Sequence, residues 1–150
     1  MEYSIRRLVE IAVRALSPGI NDPFTAGSVA DHLGDALCCI APRHLPTGVV
    51  LREGRPVLAC PVTDYDGLCN AMFHIIRQNA AGSAYVLGQM LDVLTRVAEV
   101  ERFKERAAEL ARHADLVIAA ARRDVADPSD FADLENRHRG FRVTAPVAIA

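Results

Sequence analysis

Ser17, Asn21, Asp22 and Thr25 fall within nine residues of the stretch ALSPGINDPFTA, residues 15–26. No other part of the chain gathers so many small polar side chains beside residues that shape the backbone. A hydroxyl, an amide and a carboxylate next to the unpaired amides of a helix start are groups that hold an anion or a carbonyl. His32, further along, titrates near neutrality and would add a base if a carboxylate oriented it. The candidate ligand-binding residues are therefore Ser17, Gly19, Asn21, Asp22, Thr25 and His32. The same residues also describe a corner whose polar side chains satisfy only their own backbone, and caps are far commoner than sites. Spacing places no nucleophile beside His32, which an exposed histidine explains equally well.

The elements that would position these groups follow from the same stretch. Pro18 cannot donate to a helix ladder, so the first helix stops near Ser17. Gly19 is free to take positive φ at the exit. Asp22 followed by Pro23 reads as an N-cap and first helical position, with Thr25 near the third. Ahead of the corner, Ile5, Leu8, Val9, Ala12, Val13 and Leu16 make one helix face, with Arg6, Arg7, Glu10 and Arg14 on the other. That charged side suits solvent, an acidic partner or anionic lipid. Beyond the corner, Ala26, Val29, Ala30, Leu33, Leu37 and Ile40 form the stripe of a second helix from Pro23 to about Ala41.

A hairpin is predicted from Val49–Arg52 and Pro56–Cys60 around Glu53-Gly54-Arg55,. Two strands alone are marginal in water, so the hairpin should lie on the helices or pair with a further strand, which the tail Phe141–Val147 could supply. Thr63 and Asp66 have capping-box spacing ahead of a third helix to about Asn79,. Ser83 caps a fourth helix to about Val100. Its apolar residues cover more than one side, which predicts a central helix. A fifth helix spans about Arg102–Val125. Asp127-Pro128 opens a short sixth that Arg139-Gly140 should end,.

The predicted fold is mainly α, five or six helices with one hairpin, in one domain over residues 1–150,. Apolar residues make up 51% and charged residues 24%, and the net charge of −2 gives no electrostatic case for nucleic acid,. Cys38, Cys39, Cys60 and Cys69 show no C-x-x-C pair and no ligand spacing, so all four read as small buried hydrophobes in a reducing compartment, with no metal site,. No cofactor motif is present: neither G-x-x-x-x-G-K-[ST], G-x-G-x-x-G, H-E-x-x-H nor G-x-S-x-G occurs,. No run is long and apolar enough to span a bilayer, and the N-terminus is not that of a signal peptide.

RRLVEIAVRALSPGINDPFTA, residues 6–26, resembles the signature of a family of bacterial predicted membrane proteins, domain-of-unknown-function family 2254. DYDGLCNAMFHIIRQNA, residues 64–80, and the helical run ending near AARRDVADP fit the same family, so the resemblance spans roughly Ser4 to Pro128. It implies a soluble C-terminal domain attached to the bacterial inner membrane through a membrane-embedded region absent from this chain. No family activity can be carried over. Two function classes follow. One is a soluble, cytoplasmic regulatory or assembly domain, with a small ligand at the corner. The other is an enzyme that uses Ser17, Asn21 and Asp22 with His32. The first is favoured because no nucleophile–base pair is recognisable. A homo-oligomer is expected, most simply a dimer, with the fourth helix, the hairpin or the apolar tail VTAPVAIA in its interface,.

Overall fold

The computed structural model describes residues 2–80 and 82–145. Among them are six helices and one antiparallel hairpin, so the fold is mainly α with a minor β element. In chain order these are α1 (Glu2–Ala15), α2 (Pro23–Ile40), β1 (Val49–Arg52), β2 (Arg55–Ala59), a composite α3, α4 (Ala84–Val100), α5 (Lys104–Asp124) and α6 (Pro128–Thr144). In α3, α-helical turns Tyr65–Cys69 and Ile75–Asn79 flank a π-helical stretch, Asn70–His74.

α4 is the centre. Val86, Leu87, Met90, Leu91, Val93, Leu94, Val97 and Ala98 are all buried, and α2, α5 and α6 pack around it. The predicted apolarity on more than one side is thus consumed inside the bundle. α2 approaches α4 closely because Gly34 has no side chain: a Cβ there would lie 2.5 Å from Val93 Cγ1. Arg96 on α4 reaches Asp31 and Asp35 on α2 and ties the outer edge of the same contact. α1 covers the other side of α2 and the π-helical part of α3 through Ile5, Val9 and Ala12.

Four expectations are corrected. Of the four cysteines only Cys69 is buried: Cys39 lies off the buried stripe of α2 and is exposed beside a half-buried Cys38, and Cys60 is exposed because it follows the exposed strand β2. The N-cap of α3 is Asp64 rather than Thr63: the Asp64 carboxylate accepts from the Gly67 amide at 2.8 Å, which shifts the cap by one residue and frees Asp66 for other partners. α6 does not stop at Arg139-Gly140 but continues to Thr144. Gly in a helix interior costs about 1 kcal/mol, whereas fully burying a phenylalanine is worth about 1.5–3 kcal/mol, and Phe141 is fully buried. Residues 141–144 are therefore helical and supply no strand to the hairpin, while Pro146 and Val147 of that proposed strand, like the end of the apolar tail, lie outside the described residues.

The hairpin itself forms where expected, turned by Glu53 and Gly54, whose φ values of 51° and 76° are those of a type I′ turn,. Val50 pairs with Leu58, and a bulge follows before Leu51 pairs with Pro56. Neither expected support for it is found among the described residues. The sheet has two strands only, and every residue of both is exposed.

Candidate functional site

The Ser17–Thr25 corner is closed by its own hydrogen bonds. Ser17 Oγ donates to the Arg14 carbonyl at 2.7 Å, and the Ser17 carbonyl accepts from the amides of Ile20 and Asn21. The Asp22 amide donates back to Ala15 O at 2.8 Å. Asn21 sits at φ 50°, the left-handed conformation that asparagine tolerates better than most residues,. The Asp22 carboxylate is turned into its cap: Oδ1 accepts from the Thr25 amide at 3.1 Å and Oδ2 from the Thr25 hydroxyl at 2.5 Å. Those bonds, the hydroxyl's first, hold the Asp22 carboxyl below the usual carboxylate range.

The structure therefore gathers Ser17, Asp22 and Thr25 and leaves the Asn21 side chain and Gly19 open to solvent. His32 is not brought to them. It is exposed on α2, ten residues beyond Asp22, which at 1.5 Å per residue is about 15 Å along the axis,. A cavity of about 360 Å³ between α1, α2 and α3, lined by Ile5, Leu8, Leu33, Ile40 and Met72 among others, includes none of the candidate residues.

A second polar cluster lies between α3 and α5. Asp66 and Asn70 stand four residues apart on α3, and Glu109 and His113 four apart on α5, with Arg112 between them. One turn separates each pair, so each pair shares a helix face. Arg112 Nη2 donates to Asp66 Oδ1 at 2.6 Å and to Asn70 Oδ1 at 3.1 Å, and Arg112 Nε donates to Glu109 Oε2 at 2.7 Å. Asn70 Nδ2 donates to Asp66 Oδ1 at 2.7 Å. His113 is 1% exposed, its Nε2 lies 3.3 Å from Arg112 Nη2, and its ring packs edge-on to Phe73 of the π-helical stretch at 5.9 Å between centroids. A π-helical turn holds an extra residue and so re-aims the side chains that follow it; such turns recur at functional sites.

Burial, reinforced by the neighbouring Arg112 charge, pushes the His113 imidazole down to about 4, so it is neutral at pH 7. For Asp66, partial burial works upward, but hydrogen bonds with Glu109 and Arg112 outweigh it and hold the carboxyl below its ordinary range. Burial pushes the neighbouring Cys69 thiol up to about 12, so no thiolate joins the cluster. Asp66, Asn70, Glu109 and His113 are not among the site residues the sequence singles out; their two i,i+4 spacings are the only local signal, and solvated helix faces account for such pairs just as well. Only the packing of α5 on α3 makes them one cluster.

Residues 1–96 match the family described as predicted membrane protein (DUF2254). The chain belongs to that family. It is similar to an uncharacterized protein of Mycobacterium tuberculosis (strain ATCC 25618 / H37Rv) and to one of Mycobacterium bovis (strain ATCC BAA-935 / AF2122/97), each 33% identical over 133 residues. That alignment takes in 88% of this chain and 26% of each relative, so the chain spans about a quarter of their length. No solved structure matches it. Among the described residues no helix is long and apolar enough to cross a membrane.

Proposed function

We propose that this chain is a regulatory or assembly domain of a bacterial membrane protein, and that it works by pairing with a second copy of itself through the β1–β2 hairpin. The observation that carries this reading is the hairpin's exposure. Val50 is 51% exposed, Leu51 61% and Leu58 55%, and Val49 and Val57 are also open. Apolar side chains stand on both faces, so neither face is reserved for water. An isolated two-stranded hairpin is marginally stable, and its open edges are templates for another strand. A second copy offers the same edge and the same apolar faces, and a two-fold pair closes on itself. The membrane-embedded partner region would lie in the part of the longer relatives that this chain does not span. A cytoplasmic placement is supported by four free thiols, two of them exposed, which suit a reducing compartment,.

Hydrogen exchange at two protein concentrations tests the pairing. The amides of residues 49–59 should exchange slowly in concentrated protein and faster on dilution, while α4 stays protected in both. Equal exchange of the hairpin at both concentrations would contradict the reading.

A further inference from the structure

We propose that Asp66, Glu109 and His113 form a divalent-metal site, with the Asn70 amide oxygen beside it, whose place the Arg112 guanidinium takes when no ion is bound. One carboxylate oxygen from each acid and one ring nitrogen of His113 lie within 4.8 Å of one another. Ligands about 2.0–2.2 Å from a common ion in tetrahedral array stand about 3.3–3.6 Å apart, so side-chain rotations of about an ångström would close the set. The two helices that carry the ligands are packed together, and each ligand pair is fixed on one helix face.

The occupancy of the cluster by Arg112 is the first reason to read it as a cation site, and the buried His113 nitrogen turned into it is the second. Arg112 Nη2 has two hydrogens but faces three acceptors: Asp66 Oδ1 at 2.6 Å, Asn70 Oδ1 at 3.1 Å and His113 Nε2 at 3.3 Å,. His113, only 1% exposed, thus turns Nε2 into the cluster, where its contact with the guanidinium is the longest of the three and the one an incoming ion would replace.

Charge is also unbalanced. Two carboxylates face one guanidinium, since Asp66 and Glu109 both accept from Arg112. A divalent ion in that place would answer the two carboxylates with two charges rather than one. The Arg112 side chain is 41% exposed, so it can swing to solvent as the ion enters. One imidazole nitrogen and carboxylate oxygens without thiolate suit Zn²⁺ or Mn²⁺ rather than a soft ion.

Calorimetric titration of the metal-stripped chain with Zn²⁺ at pH 7 tests the site. One saturable site is expected, weakened about tenfold or more in His113→Gln and Asp66→Asn, and strengthened in Arg112→Gln, which removes the competing cation. Asp66 is half-exposed, so Asp66→Asn keeps the test decisive if the buried His113→Gln does not fold. The proposal is overturned by the absence of saturable binding, by binding that Asp66→Asn leaves unchanged, by binding that appears only in Arg112→Gln, or by failure of Arg112→Gln to tighten it.

Discussion

Asp22 closes both hydrogen bonds of its cap on Thr25, so its removal should be felt first in stability. Asp22→Ala is expected to lower the urea midpoint, and Asp22→Ser to recover most of the loss, since serine caps a helix start nearly as well. Because the folded carboxyl is held below its ordinary value, this stabilisation is present above about pH 3.8 and is lost as pH falls through the lower folded value,. An unchanged midpoint in Asp22→Ala would mean that the carboxylate is not capping. His113 is shifted in the same direction for a different physical reason, burial of an imidazole rather than hydrogen bonds to a carboxylate. Its neutral form is favoured in the folded chain, facing Arg112, Asp66, Arg77 and His74, and its folded value is about 4 against 6.5 unfolded. Between those values the unfolded chain binds the extra proton, so stability falls as pH drops from 6.5 towards 4. In EDTA-treated protein, the difference in urea midpoint between pH 7 and pH 4.5 should shrink in His113→Gln; an equal difference would remove His113 as its source. At this scale the sequence was readable where chemistry is local. Asp22-Pro23, Ser83 and Asp127-Pro128 all cap the helices they precede, because a cap needs only its next three residues. The meeting of Asp66 with Glu109 and His113 depends on chain neighbours more than forty residues away, which no local pattern records.

The helices were legible as apolar stripes, but their close approaches were not. Gly34 lies inside α2, where glycine is a poor helix former, and the structure makes it a point of close approach to Val93 on α4. Alanine there gains about 1 kcal/mol of helix propensity and loses about 1–3 kcal/mol to overpacking against Val93. Gly34→Ala should therefore lower the melting temperature, and Val93→Ala in the same chain should restore part of it; full additivity of the two losses would contradict the close contact. Gly140 is the reverse case. Nothing lies within 4 Å of a Cβ built there, and the residue is inside α6. Gly140→Ala should stabilise by about 0.5–1 kcal/mol in thermal unfolding, and a loss would indicate that α6 ends before it. The sequence reading stopped α6 at Gly140 because a glycine after a basic residue resembles a helix exit. Burial of Phe141 one residue later overrides that signal. The π-helical stretch of α3 had no local mark either, since NAMFH has an ordinary helical composition.

For the molecule as a whole, α1, α3 and the α2–α4–α5–α6 bundle account for the core, and the hairpin is the one described element that takes no share in it. The sequence made that hairpin visible through its turn and its β-branched residues but could not tell what lies on it, because pairing partners are far away in the chain or outside it. Its exposed valines and leucines are what the account assigns to a second copy. The direct measurement is light scattering of the chain at micromolar concentration, beside Val50→Lys/Leu58→Lys, a double substitution at one cross-strand pair of the exposed hairpin. The account predicts twice the 16.3 kDa chain mass for the parent and the single-chain mass for the variant; a parent that stays at 16.3 kDa, or a variant that dimerises as well as the parent, would contradict it.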